Sequence, residues 1–378
     1  MVRRRYTRWL LIGVLLALAS LALGSPPGGL ASPAGGVSSA RAGARVAVAA
    51  PADAEAAPAS ALPQLRETRV GVVYSSSEIG IYLAQERGYF AEQGLTADYV
   101  RFDSGAFAVT PLSVGDLEAS SGVVSAALFN AMNRGVDVRL VSPQSRYDLG
   151  YSQLIMDVRK DLADAGAIRD YADLRGRNIG IMSFGSTVEL VAERALQRGG
   201  LTADDVNLVQ MGAADQITAL GNRAIDVGLM TEPQATIAQD RGAAVKWREA
   251  AEWSPGIQVS NILYGPNYTV RDVDAGQRFM VAYLKGVRDY YNAIIANRGG
   301  REEIIDVLMR QTPYKDRALY DRILWVYIDP NLRLNEDDLR TTMQWFVSKG
   351  LLDRAPELST AVDNRFLQHA LSQLGPWQ

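Results

Sequence analysis

The stretch GRNIGIMSFGSTVEL, residues 176–190, has residue types and spacing that could bind a phosphate group. It reads as a short apolar strand, a glycine turn and a helix, and Gly180 and Gly185 are spaced as in a phosphate-binding loop. Such a loop carries a lysine followed by Ser or Thr, whereas this chain has Ser186 and Thr187. Because the lysine that would contact the terminal phosphates is missing, we do not expect ATP hydrolysis at this turn.

The same turn could instead receive another polar group. A helix N-terminus presents free backbone N–H groups and a partial positive charge, and Ser186 and Thr187 add two hydroxyls. The alternative is that one of these hydroxyls only caps the helix. Because the turn follows the carboxyl end of a predicted strand, where ligands of open α/β sheets bind, we expect ligand contact here. The candidate residues of this turn are Phe184, Gly185, Ser186 and Thr187.

Three turns in the first half of the chain and one in the second half are candidates for ligand contact for the same reason. Each ends a predicted strand and carries small or hydroxyl-bearing residues, with an aromatic ring or a carboxylate beside some of them. One serine of the first turn is expected to cap its helix. Tyr74 and Phe107 could equally be core residues, and Glu232 could cap a helix or pair with an arginine. The candidate ligand-binding residues of these turns are Tyr74, Ser75, Ser76, Ser104, Phe107, Ser121, Gly122, Thr231 and Glu232.

The elements that position these turns alternate between short apolar strands and helical stretches, which predicts parallel α/β sheets. The pattern restarts near Asp173 in a similar order, and from Gln258 a last strand leads into mostly helical chain. We therefore predict an α/β fold of two lobes, each a mostly parallel sheet flanked by helices, with a ligand cleft between them. Lobe 1 is expected to comprise residues 66–155 and 259–378, and lobe 2 residues 156–258.

Aromatic residues lie beside the two places where the chain is predicted to cross between the lobes. Tyr147 precedes the first crossing, and Trp253 precedes the second. In a cleft such rings could stack on a planar ligand, and the alternative is that they pack against the connecting chain. Both residues are therefore candidates for ligand contact.

The composition excludes several kinds of chemistry. The 378 residues include no cysteine, so disulfides, thiolate nucleophiles, iron–sulfur clusters and cysteine-type zinc sites are excluded. The one histidine, His369, lies far from every motif, so we expect no metal site and no cofactor. The formal net charge of −3 argues against nucleic acid as a partner, because phosphate binding requires a basic face.

The N-terminus, residues 1–24, has the pattern of a secretory signal peptide. Arginines precede the apolar run Leu10–Leu23, and small residues follow it. The run is too short to cross a bilayer comfortably, and the alternative is retention as an uncleaved anchor. Residues 25–65 are dominated by Ala, Pro, Gly and Ser, and we predict a disordered linker because they cannot bury enough apolar surface to fold.

Four segments between about residues 68 and 291 carry recognisable motifs. They are Leu83–Leu95 (LAQERGYFAEQGL), which resembles the signature A-x-x-x-G-y-F-x-x-x-G-L; Tyr171–Arg177 (YADLRGR), which resembles dLkGk; Gly185–Thr187 with Leu201–Val206; and Ala224–Gly228 with Thr231–Pro233, which resembles iDa…eP. Together they resemble one protein family, the sulfonate/nitrate/thiamine-precursor group of ABC-transporter substrate-binding proteins, which has the type II periplasmic-binding-protein fold. One departure is Gly115–Glu118 (GDLE), where many members carry Gly-x-x-Asp.

The resemblance implies a protein that captures a small molecule outside the cytoplasmic membrane and delivers it to a permease. The permease and the ATPase would be separate chains, because no ATPase motif or multi-span region occurs here. We expect a monomer at the periplasmic or extracellular face of the cell envelope. Its membrane contact would occur only through the permease or through an uncleaved N-terminal segment.

The identity of the ligand is the most open part of this interpretation. Aromatic candidates in the turns, together with Glu232, favour a planar nitrogen heterocycle such as a thiamine pyrimidine precursor or a riboflavin-like compound. The alternative is an alkanesulfonate, taurine or nitrate, for which helix N-termini and a cleft arginine would be needed. Arg146 is the evident candidate for that arginine.

A rival interpretation is an enzyme on the same fold. A pyrimidine synthase resembles these proteins but uses a pyridoxal-linked lysine, a histidine and a cysteine-rich motif. This chain has no cysteine and one remote histidine, and no lysine lies in a predicted contact turn, so we expect no enzyme. The lysines are Lys160, Lys246, Lys285, Lys315 and Lys349.

Overall fold

The computed structural model describes residues 65–378 of the chain. The predicted signal peptide (residues 1–24) and the predicted linker (residues 25–65, apart from its last residue) lie outside the described residues. Within residues 65–378, no helix combines the length and the apolar character needed to cross a membrane.

Two five-stranded sheets form the centre of the described chain. The first sheet contains β1 (Arg66–Val72), β2 (Leu95–Arg101), β3 (Ala119–Val123), β4 (Arg139–Pro143) and β10 (Ser260–Tyr264). The second sheet contains β5 (Leu154–Arg159), β6 (Asn178–Ile181), β7 (Asn207–Gln210), β8 (Val227–Thr231) and β9 (Ala244–Glu249). Below, lobe 1 means the first sheet with the helices packed on it, and lobe 2 means the second sheet with its helices.

Both sheets follow one scheme of strand order. The orders are β2-β1-β3-β10-β4 and β7-β6-β8-β5-β9. β10 is antiparallel to β3 and β4, β5 is antiparallel to β8 and β9, and the remaining pairs are parallel. Each antiparallel strand is the one that the chain enters after leaving the other sheet. The predicted α/β fold of two lobes, each a mostly parallel sheet flanked by helices, is therefore confirmed.

The helices cover both faces of each sheet and add a C-terminal section. Lobe 1 begins with α1 (Ile79–Glu86), α2 (Tyr89–Glu92), α3 (Val109–Val114) and α4 (Ala126–Asn133). Lobe 2 contains α5 (Lys160–Asp164), α6 (Thr187–Arg198), α7 (Ala213–Gly221) and α8 (Gln234–Asp240). The C-terminal section contains α9 (Val273–Tyr290), α10 (Arg301–Gln311), α11 (Glu336–Ser348), α12 (Leu358–Ala361) and α13 (Arg365–Leu374).

The strands are apolar on both faces because helices cover both faces of each sheet. Along β10, Ile262 and Tyr264 enter one core of lobe 1, and Leu263 enters the core on the opposite face. Along β5, Met156 enters one core of lobe 2 and Ile155 the other. Successive strand residues point to opposite faces, so continuous apolar runs are the pattern that doubly covered sheets require.

Two helical predictions are corrected by the structure. The apolar spacing of Ile79–Gln93 predicts one helix, but the structure contains α1 and α2, separated at Gly88. Gly88 has a φ of 75°, a left-handed conformation that glycine adopts without strain and that ends an α-helix.

The second correction concerns Tyr320–Val326, whose apolar spacing also predicts a helix. The structure shows only a short 3-10 turn at Arg317–Asp321, followed by chain without helical structure. Distant groups hold the backbone there: the Leu324 N–H donates to Glu232 Oε1 (3.3 Å), and the Val326 carbonyl accepts from the Tyr290 hydroxyl (2.6 Å). These tertiary bonds replace the local ones of a helix.

The packing of α9 on α1 depends on two facing glycines. A Cβ atom at Gly286 of α9 would lie 2.2 Å from the carbonyl oxygen of Gly80 in α1. The backbones of the two helices therefore approach more closely than any other residue at this position would allow.

We therefore expect Gly286→Ala to lower the free energy of unfolding by about 1–3 kcal/mol, because the helices must separate to admit the methyl group. The matched control is Gly221→Ala in α7, where nothing lies within 4 Å of the added Cβ atom. That substitution should leave stability unchanged or raise it by a few tenths of a kcal/mol, since alanine favours the helix. Chemical denaturation measures both variants, and equal effects would contradict this account of the packing.

Candidate functional site

A small cavity lies between the two lobes, at the edge where the carboxyl ends of the parallel strands in both sheets meet. Its volume is about 50 Å³, which is room for a few water molecules. A hinge at the two crossings would allow the lobes to separate and admit a larger ligand. The cavity is lined from lobe 1 and the crossings by Val73, Ser75, Arg101, Phe102, Asp103, Ser104, Gly105, Val123, Tyr147, Gln153, Val259 and Ser260, and from lobe 2 by Met182, Val188, Ala213, Ala214, Thr231 and Gln234.

The two lobes touch directly along one side of this cavity. The Ala126 N–H donates to the Gly185 carbonyl (2.8 Å), and the Thr187 N–H donates to the Val124 carbonyl (3.0 Å). Nearby, the Ser104 hydroxyl donates to the Ser183 hydroxyl across the lobes (3.1 Å). These bonds form a seam, by which we mean the contact of residues 104 and 124–126 with residues 183–187.

The turn before α6 is occupied by protein groups in this arrangement. Ser186 caps the helix, because its Oγ accepts from the Val188 N–H (3.2 Å). The Gly185 N–H donates to Glu189 Oε2 (2.6 Å), and the Thr187 N–H is used in the seam. The capping alternative is thus observed, and the helix N-terminus could contact a ligand only after the seam opens.

The first turn of lobe 1 is organised by Glu78. Its carboxylate accepts from the Val73 N–H (2.7 Å), the Ser75 N–H (3.1 Å) and the Tyr82 hydroxyl (2.7 Å). Burial raises the pKa of Glu78 from 4.5 to about 7, against the opposing effect of these hydrogen bonds. Sequence reasoning did not select Glu78, although its position three residues after Ser75 is the spacing of a capping box.

Serines of the first and third turns bond towards the first crossing. The Ser76 hydroxyl donates to Gln153 Oε1 (3.2 Å), and the Ser121 hydroxyl donates to Gln144 Oε1 (2.6 Å). Gly122 lies in close packing, since a Cβ atom there would be 2.4 Å from Leu263 Cδ1. These contacts place Ser76, Ser121 and Gly122 at the carboxyl edge of lobe 1, behind the residues that line the cavity.

The aromatic candidates separate into three groups. Tyr147 is buried and lines the cavity. Trp253 lies in the core of lobe 2, where its Nε1 donates to the Val191 carbonyl (2.9 Å), and Tyr74 packs against the core of lobe 1 with a φ of 57°. Phe107 and Phe184 are exposed large apolar side chains close in sequence to the seam, and neither lines the cavity.

Glu232 is held by protein groups, although Thr231 beside it lines the cavity. The Glu232 carboxylate pairs with Lys246 Nζ (2.6 Å) and accepts from the Thr236 hydroxyl (2.8 Å). The pairing alternative is therefore observed, with a lysine in place of the expected arginine. Its acceptor positions are filled without a ligand, which removes the reason for assigning it to ligand contact.

The structure brings four of the predicted site residues to the cavity: Ser75, Ser104, Tyr147 and Thr231. Arg146, the arginine expected for an oxyanion, pairs with Asp148 (2.9 Å) and stacks over the Tyr327 ring, and it does not line the cavity. Arg101 and Phe102 line the cavity but are not among the predicted site residues. Arg101 is the last residue of β2 and Phe102 follows it, so the tendency of ligands to bind at the carboxyl ends of strands would have indicated both. Within residues 65–378, no cluster of His, Cys, Asp and Glu side chains could hold a metal ion.

Comparison with known sequences matches residues 75–293, more than half of the chain, to the family model described as NMT1/THI5 like. A relative from Brucella abortus, named as a binding protein, is 24% identical over 212 residues. That match covers 56% of this chain and 62% of the relative, so the chain spans less than two thirds of the length of the curated relatives it matches.

Solved structures show the same fold at low sequence identity. The ligand-binding component of an ABC-type import system from Staphylococcus aureus, solved with zinc bound, has a TM-score of 0.68 at 13% identity and covers 81% of this chain and 99% of its own. The periplasmic nitrate-binding protein NrtA of Synechocystis has a TM-score of 0.66 at 11% identity, covering 83% and 90%. The periplasmic aliphatic sulphonate-binding protein SsuA of Escherichia coli has a TM-score of 0.60 at 20% identity, covering 79% and 92%.

An enzyme also shares this fold. The desulfurization enzyme DszB has a TM-score of 0.58 at 17% identity and covers 82% of this chain and 99% of its own. Identities this low establish the architecture, and they carry neither a ligand nor a reaction from one protein to another.

The pKa of Glu78 predicts how stability depends on pH. The folded chain binds this proton more tightly than the unfolded chain, so the contribution of Glu78 is complete below pH 4.5 and is lost as the pH rises to about 7. We expect Glu78→Gln to reduce the fall in unfolding free energy across this interval by up to roughly 3 kcal/mol.

Denaturant titrations at several pH values measure this effect. The control is Glu357→Gln at an exposed site, which should keep the wild-type profile. Parallel profiles for the wild type and Glu78→Gln would show that Glu78 does not titrate in this interval.

Proposed function

The chain belongs to the NMT1/THI5-like family, and we propose that it is the extracytoplasmic solute-binding component of an ABC importer. In this role it captures a small molecule in the cleft between the lobes and delivers it to a permease that works with a separate ATPase. The predicted signal peptide supports a periplasmic or cell-envelope location.

The observation that carries the proposal is the position of the cavity. Residues at the carboxyl ends of strands in both sheets line it, and the chain crosses between the sheets beside it. A ligand bound there contacts both lobes at once, so its binding energy favours lobes closed around the ligand over lobes that stand apart. A solute carrier needs this property if its closed form is the form that indicates a bound ligand.

The lining favours an uncharged planar heterocycle as the ligand, such as a thiamine pyrimidine precursor or a flavin. Hydroxyls and amides dominate its polar groups, and Phe102 and Tyr147 supply aromatic rings. In the described part of the chain, Arg101 is the one cationic side chain that lines the cavity, and it is half-exposed with Asp103 3.5 Å away. An arginine that is already paired with a carboxylate is poorly suited to neutralise an anion in the cleft.

An alkanesulfonate or nitrate ligand is the second candidate. Its support is the fold shared with SsuA and NrtA, together with the presence of Arg101 at the cavity. Separation of Arg101 from Asp103 on ligand entry would be needed for this alternative.

We propose binding without chemical conversion. Among residues 65–378, no lysine and no histidine line the cavity, so these residues offer no nucleophilic or pyridoxal-linked lysine there. Lys246 is instead engaged with Glu232 and with the Arg322 carbonyl (2.9 Å). Release of a modified product on incubation with any bound compound would contradict this part of the proposal.

A thermal-shift screen of the mature chain tests the proposed function. The panel contains vitamins and vitamin precursors, alkanesulfonates and inorganic oxyanions. A ligand with a micromolar dissociation constant at millimolar concentration should stabilise the protein by about 4 kcal/mol, because it binds only the folded state.

Two threonine variants locate that binding. Thr231→Arg places a long cation in the cavity and should abolish the stabilisation, whereas Thr218→Arg on the exposed face of α7 should preserve it. Stabilisation that survives in Thr231→Arg would place the ligand outside the cleft.

A further inference from the structure

The turn after β1 has a strained backbone at the wall of the cavity. Tyr74 has a φ of 57°, a left-handed conformation that residues other than glycine adopt at a cost in energy. The residues on either side of it, Val73 and Ser75, both line the cavity. Strained backbone persists only where surrounding groups fix it, and such positions cluster at ligand sites. The shape of this part of the cavity wall therefore depends on the group that fixes Tyr74.

The carboxylate of Glu78 is that group. Its Oε1 accepts from the Val73 N–H (2.7 Å) and its Oε2 accepts from the Ser75 N–H (3.1 Å), so the two oxygens bind the amides on both sides of Tyr74. The Tyr82 hydroxyl of α1 donates to Oε2 (2.7 Å) and orients the carboxylate. Hydrogen bonds to an ionised acceptor are stronger than those between neutral groups, so the ionised carboxyl holds the turn best.

Glu78 holds this turn at a cost to the stability of the fold. Its side chain is fully buried, and burial raises its pKa from 4.5 to about 7 against the opposing effect of its hydrogen bonds. Above that pH the folded chain contains a buried charge, which lowers the free energy of unfolding. Natural proteins keep locally unfavourable groups mainly at functional sites. A strained residue and a buried carboxylate that occur together at the cavity wall therefore indicate a role in binding.

The ionisable groups of the described chain that face Glu78 are phenols. Burial, followed by the charge of Glu78, raises the pKa of Tyr82, Tyr99 and Tyr283 above their usual range. Phenols keep their protons at neutral pH, so a change in the turn between about pH 6 and pH 8 would come from Glu78. The phenols are Tyr74 of the turn, Tyr82 of α1, Tyr99 of β2, Tyr283 of α9 and Tyr314 of the C-terminal section.

We propose that Glu78 is a positioning residue of the ligand site, whose carboxylate holds the Val73 and Ser75 amides and so keeps the cavity wall in the shape that binds a ligand. Protonation weakens this hold, because the protonated oxygen becomes a donor. Ligand binding therefore favours the ionised carboxyl, and affinity rises with pH as Glu78 loses its proton. The inference rests on the proposed function and deepens it by naming what regulates the site.

Isothermal titration calorimetry at about pH 6 and about pH 8 tests the inference. The probes are riboflavin, 4-amino-5-hydroxymethyl-2-methylpyrimidine, methanesulfonate and nitrate. For a probe that the wild type binds, we expect about tenfold lower affinity at the lower pH, because only about a tenth of the chains then carry an ionised Glu78. Glu78→Gln should bind about tenfold more weakly than the wild type at the higher pH and lack this additional loss. Titration of the probe itself affects both proteins equally.

Tyr82→Phe provides a second test in which Glu78 stays in place. The substitution keeps the ring and removes the hydroxyl that donates to the carboxylate, so the pKa of Glu78 should rise. The loss of affinity should then begin at a higher pH than in the wild type. An unchanged midpoint would overturn the inference, because a purely structural role of these residues would not tie affinity to this titration.

The matched control is Glu118→Gln. Glu118 is also a buried carboxylate of lobe 1 that accepts from a backbone N–H, that of Arg69 (2.8 Å). It directly precedes β3, at the opposite edge of the sheet, and does not line the cavity. Glu118→Gln should lower the melting temperature but keep the wild-type affinity and the wild-type pH profile of binding.

Each result decides the inference. Equal affinities and parallel pH profiles for the wild type and Glu78→Gln would overturn it and leave the proposed function standing. A loss of affinity in Glu118→Gln as large as that in Glu78→Gln would also overturn it, since general destabilisation would then explain both. Wild-type binding of none of the four probes would overturn the inference together with the proposed function.

Discussion

The structure depends on the constraint that the chain crosses between its sheets twice and places the strand that it enters on arrival between two other strands of that sheet. β5 is inserted antiparallel between β8 and β9, and β10 is inserted antiparallel between β3 and β4. The first sheet is complete only with β10, which the chain supplies after its excursion through lobe 2, whereas the strands of the second sheet come from the continuous stretch 154–249. Residues at the carboxyl ends of parallel strands in both sheets line the cavity between the lobes.

The C-terminal section strengthens the connection between the lobes. It packs on lobe 1, and its residues also reach lobe 2: Arg322 Nη2 donates to Asp240 (2.6 Å), and Trp345 Nε1 donates to Glu193 (3.2 Å). Together with the seam, these bonds satisfy polar groups of lobe 2 in the closed arrangement. A ligand of the proposed kind would replace some of these protein contacts, and its net affinity would be the difference between the two sets.

Several elements could be predicted from the sequence because they depend on local patterns. Strand β6 and helix α6 are predicted by the spacing of apolar residues at 176–190, which changes from the pattern of a strand to that of a helix. The cap at Ser186 is predicted by its position directly before an apolar helix. The prediction of a helix was wrong where backbone groups form hydrogen bonds with residues distant in the chain and not with their neighbours. The segment Tyr320–Val326 has helical spacing, yet its backbone bonds go to Glu232 and Tyr290, more than thirty residues away.

By itself the sequence determined the alternation of strands and helices, the family, and the absence of cysteine chemistry, since these follow from residue inventory and short-range periodicity. Only the tertiary structure decided which polar side chains are satisfied and which are free. Glu232 is occupied because Lys246 lies on the neighbouring part of lobe 2, and within residues 65–378 the Gln144 amide is hydrogen-bonded at one end only, by Ser121. Hydrogen-bond partners far apart in the chain carry no periodic signal, so the partners of these side chains could not be predicted from residue spacing.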